Sequence, residues 1–284
     1  MTIPFYTSPL QFENVAVGKK AKANITLGKR IRGIVLECWD TANEAYSSIL
    51  EDISVVIDNV ETRIHTAAQL NALNLANGTA FGAQTNGINA GTSGHRSYLP
   101  LYFEQPWSEN RLAGALPTNK LAMVQINAGI AAAATGAALQ GTLITDDVTS
   151  DEKPFVVRYT RHELSVAGTD QGWPTLPSLE AWLSLSLWDP ATEDVDEITL
   201  RDSLHGIIHD QLSWAQMKAI NKLFWEMDAV DGRFDIPFDG AGKFAGALNP
   251  VPLLTRLLKL KFSGASAGTV TALLQSVGRV GSFK

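Results

Sequence analysis

The sequence predicts an all-β protein of two tandem lobes, each a small sandwich that carries a short helix. Three observations predict it. Short runs of alternating or continuous apolar residues recur along the chain, punctuated by Gly, Pro, Asn and Asp. Only two stretches read better as helix. One unusual phrase is written twice, as FEQPWSENRLAGALP at 103–117 and FDIPFDGAGKFAGALNP at 234–250.

In chain order, AKANITLG (21–28) and RIRGIVLECW (30–39) read as strands with turn residues at their ends. ISVVIDNVETRIHT (53–66) reads as strand, Asp-Asn turn, strand. A helix follows over 67–78, with a Gly placed to stop it. SYLPLYFEQPW, KLAMVQINAGI and ALQGTLITDD complete a first set of strands. The polar stretch TDDVTSDEKP (145–154) is the best linker in the chain, which divides it into lobes at 1–150 and 151–284. The second set comprises FVVRYTRHELSVAG, AWLSLSLW, EITLRDSLHGIIHD, GRFDIPF and LLTRLLKLKF, with a Gly/Ser-punctuated tail. Its helix spans 213–227, with Ser213 as N-cap and Trp214, Met217, Ile220 and Phe224 on one stripe that reads as core packing.

The helices repeat as well. IHTAAQLNALN (64–74) aligns with IHDQLSWAQMKAIN (208–221), and each follows an acid-rich strand opening. Both halves therefore run strand, helix, Phe-acid-x-Pro-aromatic, Ala-Gly-Ala-Leu, strand. Two motifs recurring in one order across half the chain predict a tandem duplication of a whole domain. Eight strands in two Greek keys suit a unit of that size, so the expected fold is two tandem eight-stranded jelly rolls with short helices. Phe103, Pro106, Trp107 and Gly114 form the first copy of the joint; Phe234, Pro237, Phe238 and Gly246 form the second. The prolines belong at strand exits, since they donate nothing to a ladder. The glycines allow close backbone approach.

Composition excludes several functions. A net charge of −6 argues against a dedicated nucleic-acid binder. The one cysteine, Cys38, cannot staple the fold and reads as a buried strand thiol. The start of the chain lacks a signal-peptide pattern, and AGIAAAATGAAL (128–139) is too short to span a bilayer, so synthesis in a cytoplasm is expected. Catalytic patterns are weak. His205 and His209 stand four apart but lack further ligands, GTSGH (91–95) lacks the spacing of a nucleophile elbow, and DGAGKF (239–244) lacks that of a phosphate loop. No enzyme is expected.

The segment SYLPLYFEQPWSENRLAGALPTNKLAMVQINAGI (97–130) resembles major capsid proteins of icosahedral, membrane-containing phages of the corticovirus type. ISVVIDNVETRIHTAAQLNALN is similar to the same family, which belongs to the double jelly-roll lineage of tectiviruses and adenoviruses. The resemblance implies a structural capsid protein in the virion, two upright jelly rolls per chain and three chains per pseudo-hexagonal capsomer. It implies partners among further copies of itself and minor capsid or vertex proteins, over an internal lipid membrane. The alternative weighed is a jelly-roll carbohydrate-binding or host-attachment protein, for which Trp173, Trp182 and Trp188 would form an aromatic platform. A bicupin-like metalloenzyme would need His/Glu clusters in both halves, and the aligned segments have none.

Two sets of charged residues remain. Asp146, Asp147 and Asp151 in the acidic stretch are candidates for structural calcium, the one cofactor considered. Lys19, Lys20 and Lys22, followed by Lys29, Arg30 and Arg32, concentrate positive charge in an acidic chain. Arg256, Lys259 and Lys261 add a second group. Such a face suits peripheral contact with anionic head groups.

Overall fold

The structure, a computed structural model, describes residues 5–42, 45–77, 96–106, 111–112, 114–176, 181–188, 195–202, 206–225, 227–230, 232–238, 256–262 and 268–280. The chain divides into two compact units, Met1–Val157 with Gly278–Lys284 and Arg158–Val277.

The first unit contains β1 (Tyr6–Gln11), β2 (Lys20–Asn24), β3 (Arg30–Trp39), α1 (Tyr46–Ile49), β4 (Leu50–Ile57), β5 (Val60–Thr66), α2 (Ala67–Ala76), β6 (Ser97–Tyr102), β7 (Leu116–Pro117), β8 (Val124–Ile130) and β9 (Ala138–Asp146). One of its sheets runs β1-β9-β3-β6, with the two-residue β7 beside β3, and the other runs β5-β4-β8-β2. Alternation sets the faces: Lys20, Lys22 and Asn24 of β2 are exposed, while Ala21 and Ala23 lie in the core. In β3, Ile31 and Ile34 stand three apart yet both face inward. A register shift against β9 between Ile31 and Gly33 absorbs the odd residue. Asp58 and Asn59 both have positive φ (48° and 67°) and join β4 to β5 as the expected two-residue turn.

The second unit holds most of β10 (Phe155–Val166) and β17 (Gly268–Arg279). It also has β11 (Asp170–Leu176), β12 (Ala181–Trp188), β13 (Val195–Asp202), β14 (Gly206–Ser213), α3 (Trp214–Trp225), β15 (Arg233–Pro237) and β16 (Arg256–Phe262). Its strands run β11-β16-β13-β14 in one sheet and β15-β12-β17-β10 in the other. Each lobe thus has two four-stranded faces, with β7 an addition in the first. Each has its own core, Ile34, Leu36, Ile53 and Ile126 being typical of one and Trp182, Leu185, Ile198 and Leu258 of the other.

The division of the chain lies at Val157/Arg158, inside β10, and not in the polar stretch 145–154. That stretch is fastened to the first unit. Asp146 is paired with Arg30, Ser150 and Asn119 exchange two hydrogen bonds, and Lys153 approaches Asp58. Residues 278–284, expected in the second lobe, belong to the first. Val280 is buried there, and its N–H donates to the Pro154 carbonyl.

The two longer helices, α2 and α3, open on the same device. The Thr66 hydroxyl accepts from the Gln69 N–H while the Gln69 side chain accepts from the Thr66 N–H. Ser213 and Gln216 make the same reciprocal pair at α3. The expected stripe of α3 is only partly core. Met217 is buried and Trp214 packs on Phe234 at 4.8 Å, but Phe224 is 73% exposed. Residues 222–225 form a last turn beyond the buried anchor Asn221, and among the described residues none covers Phe224 there.

Candidate functional site: the repeated joint

The duplicated phrase builds one buried fastening in each lobe. In the first, Phe103 lies inside the core with Arg63 over its ring at 4.5 Å, and the Arg63 guanidinium also donates to the Tyr102 carbonyl. The next residue, Glu104, is buried between two arginines, Arg32 at 2.6 Å and Arg111 at 2.8 Å. The Arg32 carbonyl accepts the N–H groups of both Phe103 and Glu104, so Arg32 holds the joint by backbone and side chain together. The Gln105 N–H donates to the Arg111 carbonyl, closing the loop.

Gly114 explains the Ala-Gly-Ala-Leu part of the phrase. A Cβ there would sit 2.3 Å from the Phe103 carbonyl oxygen, so the two ends of the motif touch backbone to backbone. Pro106 follows β6 and is half-buried at its exit. Trp107, in the first copy, and Gly246, in the second, lie outside the described residues.

The second copy repeats the arrangement with other partners. Phe234 is buried against Trp214, and Asp235 is buried on Arg233 at 2.6 Å and on the Ser186 hydroxyl. Pro237 ends β15, and the Phe238 N–H donates to the Leu183 carbonyl while its ring meets Trp182 at 6.3 Å. Asn74 of α2 and Asn221 of α3 each donate to a carbonyl near the joint, of Pro100 and Asp235 respectively. In both lobes the acid of the phrase is therefore an ion-paired fastening. Guanidinium groups hold both oxygens of Glu104, a guanidinium and a hydroxyl converge on Oδ1 of Asp235, and the cavity beside Asp235 is only about 10 Å³, no larger than a water needs. Among the described residues this geometry orients backbone. The sequence marks the acid in both copies; Arg111 lies inside the first phrase and Arg233 stands just before the second, so only Arg32 comes from a distant strand.

The other candidates fall elsewhere. Asp146 gives both carboxylate oxygens to Arg30. Asp147 meets Lys29 at 3.2 Å, and hydrogen bonds from Tyr6 and Lys29 hold its carboxyl below the usual range. Asp151 is exposed. Among the described residues, no three acids, histidines or cysteines come together as a metal would require. Lys29, Arg30 and Arg32 all face acids, whereas Lys19, Lys20 and Lys22 are exposed, the latter two alternating along β2 at the end of its sheet. Trp182 is fully buried, which removes it from any aromatic platform; its strand position packs it into the core of the second lobe. Trp188 is half-buried, and His205 lies outside the described residues. Cys38 is buried, and burial with Asp40 and Glu37 nearby pushes its thiol up to about 12. Among the described residues, no helix is long and apolar enough to cross a membrane.

Residues 7–144 match the family model described as the viral coat protein P2 N-terminal domain. The first lobe belongs to that family. The whole chain superposes on the major capsid protein P2 of bacteriophage PM2 with a TM-score of 0.79 at 15% identity, covering 96% of this chain and 98% of that one. For the major capsid protein of Sulfolobus turreted icosahedral virus the values are 0.71 and 13%, with 96% of each chain covered. For the Faustovirus major capsid protein they are 0.70 and 7%, with 98% and 90% covered. No curated protein sequence matches the chain. These likenesses extend over both lobes, so the second lobe, outside the family model, shares the fold. The chain is a viral coat protein with the double jelly-roll fold of major capsid proteins, and its place is the capsid of a virion.

Proposed function

We propose that this coat protein acts without enzymatic activity as the repeating subunit of an icosahedral shell, three chains forming a pseudo-hexagonal capsomer. The observation that carries the reading is the duplicated joint: two lobes fastened alike give three chains six similar corners. Contacts between unlike lobes of neighbouring chains close a ring without requiring the lobes to be identical. Calcium has no part in this reading, because Asp146 and Asp147 are already committed to Arg30 and Lys29.

The shell lies over a lipid membrane, with Lys19, Lys20 and Lys22 turned to anionic head groups and minor capsid or vertex proteins as further partners. Three exposed ammonium groups within one short segment support the first part, each contributing on the order of 1 kcal/mol at an anionic surface. Light scattering tests assembly: the mass in solution is expected at three times the 30.6 kDa of one chain. A single-chain mass at every concentration sinks the proposal. Flotation with phosphatidylserine vesicles tests the lysines. Charge reversal at all three should abolish binding while leaving the mass unchanged, and undiminished flotation would remove the membrane face.

A further inference from the structure

Leu223 and Phe224 are the two most exposed large apolar side chains among the described residues, at 77% and 73%. They sit side by side in the last turn of α3, next to the exposed Ala219. The matching helix of the first lobe, α2, buries its corresponding end, with Asn74 and Ala76 inside. Duplication therefore produced one helix end that is covered within its lobe and one that presents an apolar knob. A soluble chain gains nothing from such a knob alone.

The first lobe carries a hollow of fitting chemistry. It lies on the outward face of the sheet containing β9, β3 and β6, where two cross-strand rows run side by side. One row is Thr142, Val35 and Pro100; the other is Ile144, Gly33 and Tyr102. Gly33 has no side chain, so the second row is sunk at its centre between Ile144 and Tyr102. Tyr98 adds a wall, and the resulting groove has a volume of about 490 Å³. That is within the roughly 300–1,000 Å³ of sites that take a sizeable apolar ligand. It has room for a leucine and a phenylalanine side chain together.

Resting on the assembly proposed above, we infer that Leu223 and Phe224 of one copy seat in the Val35–Tyr98–Tyr102 groove of a second copy. A coat protein must meet further copies of itself, and here each chain bears both a convex and a concave apolar feature. A knob-to-groove contact joins unlike surfaces, so it repeats from chain to chain, and a one-third turn between copies closes it into a ring of three. A symmetric α3-to-α3 contact would stop at two.

The test uses full-length chains and light scattering. Leu223→Asp with Phe224→Ser should weaken association by about 30-fold or more, as loss of a central apolar anchor does. Thr142→Trp, which fills the groove from its exposed rim, should do the same from the other side. None of the three positions is buried, so the circular dichroism spectrum should stay that of the wild type, as should the melting temperature when all are compared at a dilution where the chains are single. A mixture of Thr142→Cys and Leu223→Cys chains should form a disulfide-linked pair under mild oxidation, and neither chain should do so alone, since Cys38 is buried. If wild type assembles and both blocking variants assemble equally well, or the mixed pair fails to cross-link, this contact is wrong while the coat-protein assembly stands. If wild type itself stays at the mass of one chain, the assembly reading falls and this contact with it.

Discussion

Truncating the joint phenylalanines, Phe103→Ala and Phe234→Ala, asks whether the repeated phrase is a fastening in both lobes. Each ring is nearly wholly removed from solvent, at 2% and 3% exposure. Deleting a buried phenylalanine costs about 3–5 kcal/mol, from lost transfer energy plus the cavity left behind. The two sites differ in what the cavity exposes. At Phe103 it opens beneath the buried Arg63 guanidinium, which loses the ring face 4.5 Å away. At Phe234 the exposed neighbour is the Trp214 ring, which can lean into the space. Phe103→Ala should therefore stand at the upper end of the range and Phe234→Ala at the lower. At roughly 2–4 °C per kcal/mol for a unit of this size, the melting temperature falls by about 6–20 °C. The assay is denaturant unfolding at matched protein concentration, followed by tryptophan fluorescence and circular dichroism. A change below about 1 kcal/mol at either position would refute the view that the phrase is a joint in that lobe.

Two further outcomes follow from single atoms. Gly114→Ala places a methyl 2.3 Å from the Phe103 carbonyl oxygen, which is backbone and cannot swing away, so a loss of about 1–3 kcal/mol is expected in the same unfolding assay. Wild-type stability would show that the loop moves freely. Cys38 should resist a thiol reagent at pH 8 in the folded protein and react fully in denaturant, because its thiol is buried and raised from 9.0 to about 12. Above pH 9 the unfolded chain loses this proton before the folded one does. Stability relative to Cys38→Ala should therefore be unaffected below pH 9 and decline from there towards 12; parallel curves would contradict the burial.

The sequence reads local chemistry well and long-range chemistry poorly. The Asp58-Asn59 turn, the strand alternation of 20–24 and the Ser213 start of α3 are decided by residues within four positions of one another. Ser213 is legible as a cap from its own neighbourhood, while Thr66 and Gln69 stand at the same place in the other half and make the same reciprocal pair. Partners distant in the chain left no such trace. Nothing near Glu104 announces that Arg32 will grip it, or near Asp146 that Arg30 will, and both arginines read instead as part of an exposed basic run. Phe224 failed for a third reason. Its phase along α3 is that of a core residue, but periodicity carries no information on where the supporting surface ends.

The return of the chain to its first lobe has a bearing on how this protein is made. Residues 158–277 are a complete parenthesis within the other unit, whose core includes Val280. During synthesis the first lobe emerges early, yet it waits through the whole of the second before its last packing residue and the hydrogen bond from Val280 to Pro154 become available. The lobe made later can therefore be finished first.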